Sequence, residues 1–102
     1  MKQLNHYQPT RAMEQLFEAI LELKTPEEAA KFLRDLLTLP ELKEFSNRWQ
    51  IVRLLLQGES YIIIANKLGV STTTVTRVAQ WFNNGEGGYK LVADRLKLTK
   101  TP

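Results

Sequence analysis

The chain has 102 residues, of which 43% are apolar, and this suits one globular domain rather than a disordered chain. It has no cysteine and one histidine, His6 in a polar stretch, which disfavours disulfides, metal sites and histidine-based catalysis. The net charge is +3, and no apolar run is long enough to span a bilayer or form a signal core. We therefore expect a cytoplasmic protein that is not an enzyme and that needs no metal or cofactor.

The N-terminal half of the chain, residues 10–57, is predicted to form a helical scaffold. Apolar side chains recur at helical spacing over residues 10–23, with glutamates on the other face. Thr25 is a good N-cap, Pro26 suits the first helical position, and Glu28 completes a capping box, so a second helix begins here. The side chains that we expect this second helix to bury are Ala29, Phe32, Leu33, Leu36 and Leu37.

A third helix is predicted over residues 40–57, and Gly58 ends it. Its start at Thr38 repeats the capping chemistry of the second helix. The apolar residues of this helix cover more than half of its surface, so it should be buried on more than one side. In so small a chain, that indicates either a central helix or a helix shared with a partner subunit, and we favour a homodimer over a monomer.

A helix-turn-helix is predicted over residues 59–84. Ser60 can cap its first helix, the small Ala65 allows close crossing of the two helices, and Gly69 supplies left-handed backbone for the turn. Five apolar positions complete the packing pattern: Ile64, Leu68, Val70, Val75 and Val78. Seven positions match together, which makes the pattern far more specific than an isolated Ala-x-x-x-Gly.

The segment VSTTTVTRV, residues 70–78, also alternates in the manner of a strand, because threonine is β-branched and favours strands. Helical spacing sorts it better, since Val75 and Val78 then share one face. Ser71 is a good N-cap, and Gly85 marks a helix end. Each threonine costs a helix only about a few tenths of a kcal/mol relative to alanine. Packing of the apolar face outweighs that cost, so we predict a helix.

The C-terminal segment, residues 86–98, begins with a glycine-rich turn. The turn lacks the Gly-Lys-Ser/Thr ending of a phosphate-binding P-loop, so we interpret it as a linker. A short helix follows, with one apolar face made of Tyr89, Val92, Ala93 and Leu96. Every predicted element is helical, so the predicted fold class is all-α, in a single domain over residues 1–102.

The outward face of the second helix of the helix-turn-helix suits the major groove of DNA. Threonine hydroxyls allow close approach, and arginine and glutamine can pair with guanine, adenine or phosphate. Residues 43–77 carry five basic and two acidic groups, whereas residues 1–42 carry five basic and seven acidic groups. This distribution is expected of a scaffold followed by a part that faces a polyanion. The residues that we predict to contact DNA are Ser71, Thr72, Thr73, Thr76, Arg77 and Gln80.

The stretches NRWQIV through LQGE (residues 47–59), LG (68–69) and TVTR (74–77) resemble the Trp repressor superfamily. The tail, residues 77–95, is similar to its YerC/YecD branch. The resemblance covers residues 12–97. It implies a Trp repressor-like intertwined helical homodimer, whose N-terminal helices interlock. Its two helix-turn-helix units would address successive major grooves, about 34 Å apart.

The resemblance also implies an effector site. Trp repressors bind tryptophan as a corepressor, and the family's ligand residues match Thr38, Arg48 and Arg77. The family has glycine directly after the recognition-helix arginine, where this chain has Val78, and a small serine where it has Trp81. We therefore expect that tryptophan is not the effector. The two arginines are expected to bind phosphates, another anion or acidic side chains.

Two functions of different classes remain open. The favoured one is a sequence-specific transcriptional regulator, a repressor by resemblance, that binds operator DNA as a homodimer. The alternative is a helical module that docks on the transcription machinery, supported by Ile62 and Ile63, which the pattern does not bury together. Trp49 is expected in core or dimer packing rather than against a ligand.

Overall fold

A computed structural model of the chain describes residues 7–99, and His6 lies outside this range. The elements found in it are α1 (Arg11–Ile20), α2 (Pro26–Leu36), α3 (Leu39–Leu56), α4 (Tyr61–Leu68), α5 (Thr72–Asn84) and α6 (Gly88–Arg95). No strand occurs among these residues, so the predicted all-α class is confirmed. The threonine-rich segment is helical, as the spacing predicts. None of the helices described is long and apolar enough to cross a membrane.

The described chain divides into two compact units, residues 7–44 and residues 45–99. Helix α3 runs through the boundary between them. The first unit holds α1, α2 and the start of α3, and the second holds the remainder of α3 with α4, α5 and α6. The predicted organisation as one domain with a scaffold, a helix-turn-helix and a C-terminal helix stays a prediction.

Helix α2 begins with the chemistry that the sequence predicts. The hydroxyl of Thr25 accepts a hydrogen bond from the backbone N–H of Glu28 at 3.1 Å, and Pro26 occupies the first turn. The carboxylate of Glu28 accepts from the backbone N–H of Lys24 at 2.9 Å. In a capping box this carboxylate would accept from the N-cap residue itself. Here it reaches one residue further back, and it still satisfies a backbone donor at the helix start.

The apolar faces of residues 7–44 are only partly covered. No residue in this unit is fully buried. Four of the five side chains that the second helix was expected to bury are half-buried, and Leu36 is exposed. A unit this small cannot cover two amphipathic helices on both sides. Large apolar side chains therefore remain exposed: Met13, Phe17, Ile20, Leu21, Leu36 and Leu39.

The hydrophobic core lies within residues 45–99, between α3 and the helix-turn-helix. Its buried members are Ile51, Val52, Ile64, Ala65, Val75 and Val78. Leu68 and Val70 are half-buried and pack against this cluster. The predicted helix-turn-helix positions therefore lie where the spacing puts them. Removing a large aliphatic side chain from such a cluster costs about 2–5 kcal/mol, so this core decides how α4 and α5 are held.

The turn between α4 and α5 depends on the backbone of Gly69, whose φ is +66°. The N–H groups of Gly69 and Val70 both donate to the carbonyl of Ala65, which closes the end of α4. Helix α5 begins at Thr72, directly after its N-cap Ser71. Only a residue that tolerates left-handed backbone lets the chain reverse direction within so few positions.

Helix α6 is anchored at two points. Ala93 is fully buried, and the ring of Tyr89 lies 6.3 Å from the ring of Trp49, tilted by 34°. Tilted aromatic pairs at this separation add about 0.5–1.5 kcal/mol to the burial of their surface. Trp49 therefore packs within its own unit, in agreement with the core role expected for it.

The end of α6 differs from the sequence prediction. Lys97 adopts left-handed backbone with a φ of 58°, and the N–H of Leu98 donates to the carbonyl of Ala93 at 2.8 Å. This closure is typical of a Schellman motif, and it stops the helix before residue 98. Of the apolar face predicted for this helix, Val92 and Leu96 are exposed. Tyr89 and Ala93 attach α6 to the rest of its unit, and the remainder of its apolar face is exposed.

Replacing Gly69 with alanine tests the role of the turn. A Cβ atom there meets nothing within 4 Å, so the cost comes only from the left-handed backbone, about 1–2 kcal/mol. Urea denaturation followed by circular dichroism should show a loss of unfolding free energy of that size. Gly88→Ala is the matched control, because its Cβ is equally free and its φ is not positive. An equal loss in both variants would contradict the account.

Candidate nucleic-acid interface

Helix α5 separates core and polar side chains cleanly. Val75, Val78 and Ala79 are buried on one side of it. The side chains exposed on the rest of its surface include Thr72, Thr73, Thr76, Arg77 and Gln80. Residues four and seven positions apart lie on the same side of a helix, so Thr73, Arg77 and Gln80 form one stripe along α5. Five of the six predicted DNA-contacting residues therefore share one exposed polar face.

Ser71, the sixth predicted residue, caps α5. Its hydroxyl oxygen accepts a hydrogen bond from the backbone N–H of Thr74 at 3.1 Å and lies 3.0 Å from the Thr74 hydroxyl. The N–H groups of Thr72 and Thr73 have no partner within the helix and lie at its exposed start. Such a helix start attracts anions, because its N–H groups and the helix dipole both favour negative charge.

Thr74 is a residue that the sequence reasoning did not select. It is half-buried, and its hydroxyl pairs with that of the N-cap Ser71. The pair takes the place of the Ser-x-x-Glu capping box. A polar residue three positions after a serine N-cap was the available signal. Thr74 therefore serves the start of the helix, whereas the other threonines of the segment face outward.

The hydroxyl of Thr76 is already engaged within the helix. It donates a hydrogen bond to the carbonyl of Thr72 at 2.9 Å. Its proton is therefore unavailable to an external acceptor, while the oxygen lone pairs and the methyl group stay accessible. Toward a base edge, Thr76 can accept from an amino group or touch a thymine methyl, and it does not donate.

Arg77 is exposed, and among residues 7–99 no ion pair involves it. In the same unit, Lys67 is paired to Glu59 at 3.1 Å. Arginine carries five donors in a planar fork and stays charged at any physiological pH. An exposed guanidinium without an internal carboxylate partner is therefore available to phosphate or to guanine.

Thr38, the first predicted effector residue, forms the capping box of α3 together with Glu41. Its hydroxyl accepts from the backbone N–H of Glu41 at 3.2 Å. Its own N–H and hydroxyl lie 2.9 and 3.0 Å from the Glu41 carboxylate, to which they donate. These hydrogen bonds, first the one from the backbone, lower the pKa of Glu41 below its ordinary value of 4.5. Thr38 thus has a local structural partner.

Arg48, the second predicted effector residue, lies over an aromatic ring. Its guanidinium carbon is 5.5 Å from the centre of the Phe45 ring, within the range of a cation–π contact. Val78 is 5% exposed and belongs to the core cluster, so its side chain fills interior space. The effector or phosphate site at Thr38, Arg48 and Arg77 stays a prediction. Among the described residues, no group of three or more His, Cys, Asp or Glu side chains could hold a metal.

The outer side of α4 carries the two isoleucines that sequence reasoning could not place. Ile62 is 67% exposed and Ile63 is 44% exposed. The next residue, Ile64, is fully buried in the core. The first helix of the helix-turn-helix therefore presents an apolar pair to solvent.

Comparisons with known proteins agree with this architecture. The sequence model of the Trp repressor protein family matches residues 11–97. The chain is 37% identical over 91 residues to the protein YerC of Bacillus subtilis strain 168, covering 89% of this chain and 88% of YerC. It is 34% identical over 79 residues to a Trp operon repressor homolog of Chlamydia trachomatis serovar L2, covering 72% and 84%. The crystal structure of a TrpR-like protein from Eubacterium eligens matches with a TM-score of 0.83 at 40% identity, covering 90% and 95%.

The capping pair Thr38–Glu41 predicts a dependence of stability on pH. The pKa of Glu41 is lowered on folding, so its ionised carboxylate stabilises the folded protein. This contribution to the free energy of unfolding is complete above pH 4.5 and is lost as the pH falls through the lowered pKa. Glu41→Gln should therefore have a lower free energy of unfolding than the wild type at pH 7, and this gap between the two proteins should shrink below pH 4.5. Urea denaturation between pH 7 and pH 3 measures this gap.

Glu22→Gln is the control for that series, because Glu22 is an exposed carboxylate in the same unit that makes no side-chain hydrogen bond among residues 7–99. It removes the same charge without removing a capping contact. A gap for Glu41→Gln that stays constant over the whole pH range would show that the carboxylate does not support the helix start.

Proposed function

Because the chain belongs to the Trp repressor family, we propose that it is a transcriptional repressor that binds operator DNA as a homodimer through its helix-turn-helix. The observation that carries the proposal is the exposed polar face of α5. The opposite side of this helix packs on the buried core, and the turn at Gly69 connects it to α4. The match to a Trp operon repressor homolog supports the repressor role. The proposed DNA-contacting residues are Ser71, Thr72, Thr73, Thr76, Arg77 and Gln80.

The proposed recognition of the base sequence follows from the dimensions of α5 and its short side chains. A helix with its side chains is about 10–12 Å across, and the major groove is about 12 Å wide. Short threonine side chains let α5 sit deeply enough for Arg77 and Gln80 to reach base edges. Arg77 suits the two acceptors of guanine, and Gln80 suits adenine. Thr76 adds an acceptor or a methyl contact, because its own proton is bound to the helix backbone.

Charge supports binding to a polyanion. Residues 43–77 carry an excess of basic groups, and residues 78–102 add four basic against two acidic groups. Phosphate contacts from such groups release counterions, so the affinity falls steeply as salt is raised. This electrostatic contribution brings the protein to DNA of any sequence, and the face of α5 then distinguishes one sequence from another.

A second copy of the chain would cover the exposed apolar side chains of α1 and α2. Monomeric proteins rarely expose apolar patches larger than a few hundred Å². Here no residue of the unit 7–44 is fully buried, and several of its large apolar side chains are exposed. In the proposed homodimer, two copies of α5 enter successive major grooves about 34 Å apart.

The proposed regulator does not use tryptophan as its corepressor. Val78, at the position of the family's glycine, is buried among core side chains. The hydroxyl of Thr38 is engaged by Glu41. We therefore assign Arg48 to a phosphate or another anion, and Arg77 to guanine or a phosphate. Their guanidinium groups suit any ligand that offers two acceptor oxygens.

Docking on a protein of the transcription machinery is the second candidate, and the exposed pair Ile62 and Ile63 favours it. The two candidates differ in their response to salt. Binding through phosphates weakens steeply between low and physiological salt, whereas an apolar docking surface does not weaken in this way.

Arg77→Ala tests the proposed function directly. Losing a guanine or phosphate contact should weaken binding to the preferred DNA by about fivefold to 150-fold, because such contacts are worth roughly 1–3 kcal/mol. Fluorescence anisotropy of labelled DNA at fixed salt measures the affinity, and sedimentation measures the dimer, which should persist.

The matched control is Arg95→Ala, which removes the same charge from the last turn of α6. This variant should bind the same DNA within a few-fold of the wild type. An equal loss of affinity in the two variants would point to general charge rather than to the face of α5. Loss of the dimer in Arg77→Ala would place this arginine in the subunit interface.

A further inference from the structure

Trp81 is an unusual residue for the surface of α5. It lies one turn after Arg77, and 43% of it is exposed, whereas the core positions of the same helix are buried. No residue among 7–99 accepts a hydrogen bond from its indole nitrogen. The indole N–H is therefore free of any acceptor among these residues and is available to an external one.

The backbone of Gly85 holds this ring. A Cβ atom at Gly85 would lie 2.5 Å from the carbonyl oxygen of Trp81 and 2.7 Å from its ring atom Cε3. Both distances are shorter than any real Cβ contact, so only glycine leaves room for the indole there. The ring therefore packs closely against the backbone of Gly85, and it loses little further freedom when it meets a partner.

The position of Trp81 on the helix indicates what that partner is. Four residues advance an α-helix by one turn and about 40°, so Trp81 lies beside Arg77 on the flank of the polar face. A helix about 10–12 Å across fills a groove about 12 Å wide. Side chains at the centre of the polar face then meet base edges, and side chains on its flank meet the sugar–phosphate wall.

We propose that Trp81 contacts the DNA backbone, with its indole N–H donating to a phosphate oxygen and its ring lying against the adjacent deoxyribose. The inference rests on the proposed function, since it needs α5 in the major groove. An indole N–H only donates, and a phosphate oxygen only accepts, so the two groups match. The contact fixes how α5 rotates in the groove, and it thereby positions Arg77 and Gln80 against the bases.

This contact differs from those of the arginines in one measurable way. Trp81 is neutral, so its contact displaces no condensed counterion. Removing it should lower the affinity for DNA without changing the dependence of that affinity on salt. Removing a charged phosphate contact lowers both.

The test uses the full chain with Trp49→Phe, which leaves Trp81 as the only tryptophan. Trp49 is half-buried and packs on Tyr89, so its emission would otherwise mask that of Trp81. The DNA probe is the fragment that binds most tightly in anisotropy measurements. Adding it should shift the emission of Trp81 to shorter wavelength and protect the ring from quenching by iodide.

Trp81→Phe in the same background keeps a ring against Gly85 and removes the donor. It should bind the same DNA about three- to tenfold more weakly, the worth of one net hydrogen bond, with an unchanged salt slope. Equal thermal unfolding of the two proteins shows that the loss is not one of folding. The variant Trp49→Phe alone should bind DNA like the wild type.

Three results would overturn the inference. The first is that anisotropy shows DNA binding while the emission of Trp81 does not change, or that Trp81→Phe binds DNA with full affinity. The second is an emission that is already blue-shifted and iodide-protected without DNA, which would place the ring in the subunit interface. The third is no DNA binding at all, which would remove the proposed function together with the inference, whereas the first two remove the inference alone.

Discussion

The packing of α4 against α5 across the turn at Gly69 is the constraint on which the rest of the structure depends. The left-handed glycine lets the chain reverse, and the buried Ile64, Val75 and Val78 then hold the two helices together. Because an α-helix has 3.6 residues per turn, burying these side chains places the polar residues of α5 on the opposite side of the helix, at the surface. The face proposed to read DNA is therefore a consequence of the core.

The threonines of α5 have different physical roles, although they lie close together in the sequence. Thr74 pairs with the N-cap Ser71, and Thr76 binds the carbonyl of Thr72. Both use local hydrogen bonds that threonine readily offers to a helix backbone. Thr73 lies in the stripe of Arg77 and faces outward. In the proposed complex, these short hydroxyl side chains let α5 approach the groove closely.

Most of the fold could be predicted because its signals are local. Capping at Thr25 and Ser71, the turn at Gly69 and the buried side of α5 all follow from nearest-neighbour hydrogen bonds and helical spacing. The closure of α6 could not be predicted, because Lys97 takes a left-handed backbone that its side chain does not favour.

Burial was predicted less well than helical structure. Spacing identifies which face of a helix is apolar, but it does not say whether the same chain covers that face. Leu36 in α2 and Leu96 in α6 are both apolar, on the predicted face, and exposed. The polar face of α5 could be identified from the sequence by the same spacing, whereas the partner proposed for Trp81 and the ligand proposed for Arg48 are molecules outside this chain.

In vitro selection of DNA by the full-length protein, with and without L-tryptophan, tests the central claim most directly. The account predicts enrichment of one sequence motif, arranged as two half-sites about one helical turn apart, because two copies of α5 are proposed to enter successive major grooves. The same motif should emerge with and without L-tryptophan. A pool that stays random after repeated rounds would contradict sequence-specific binding, and a motif that appears only with tryptophan would contradict the role assigned to Val78.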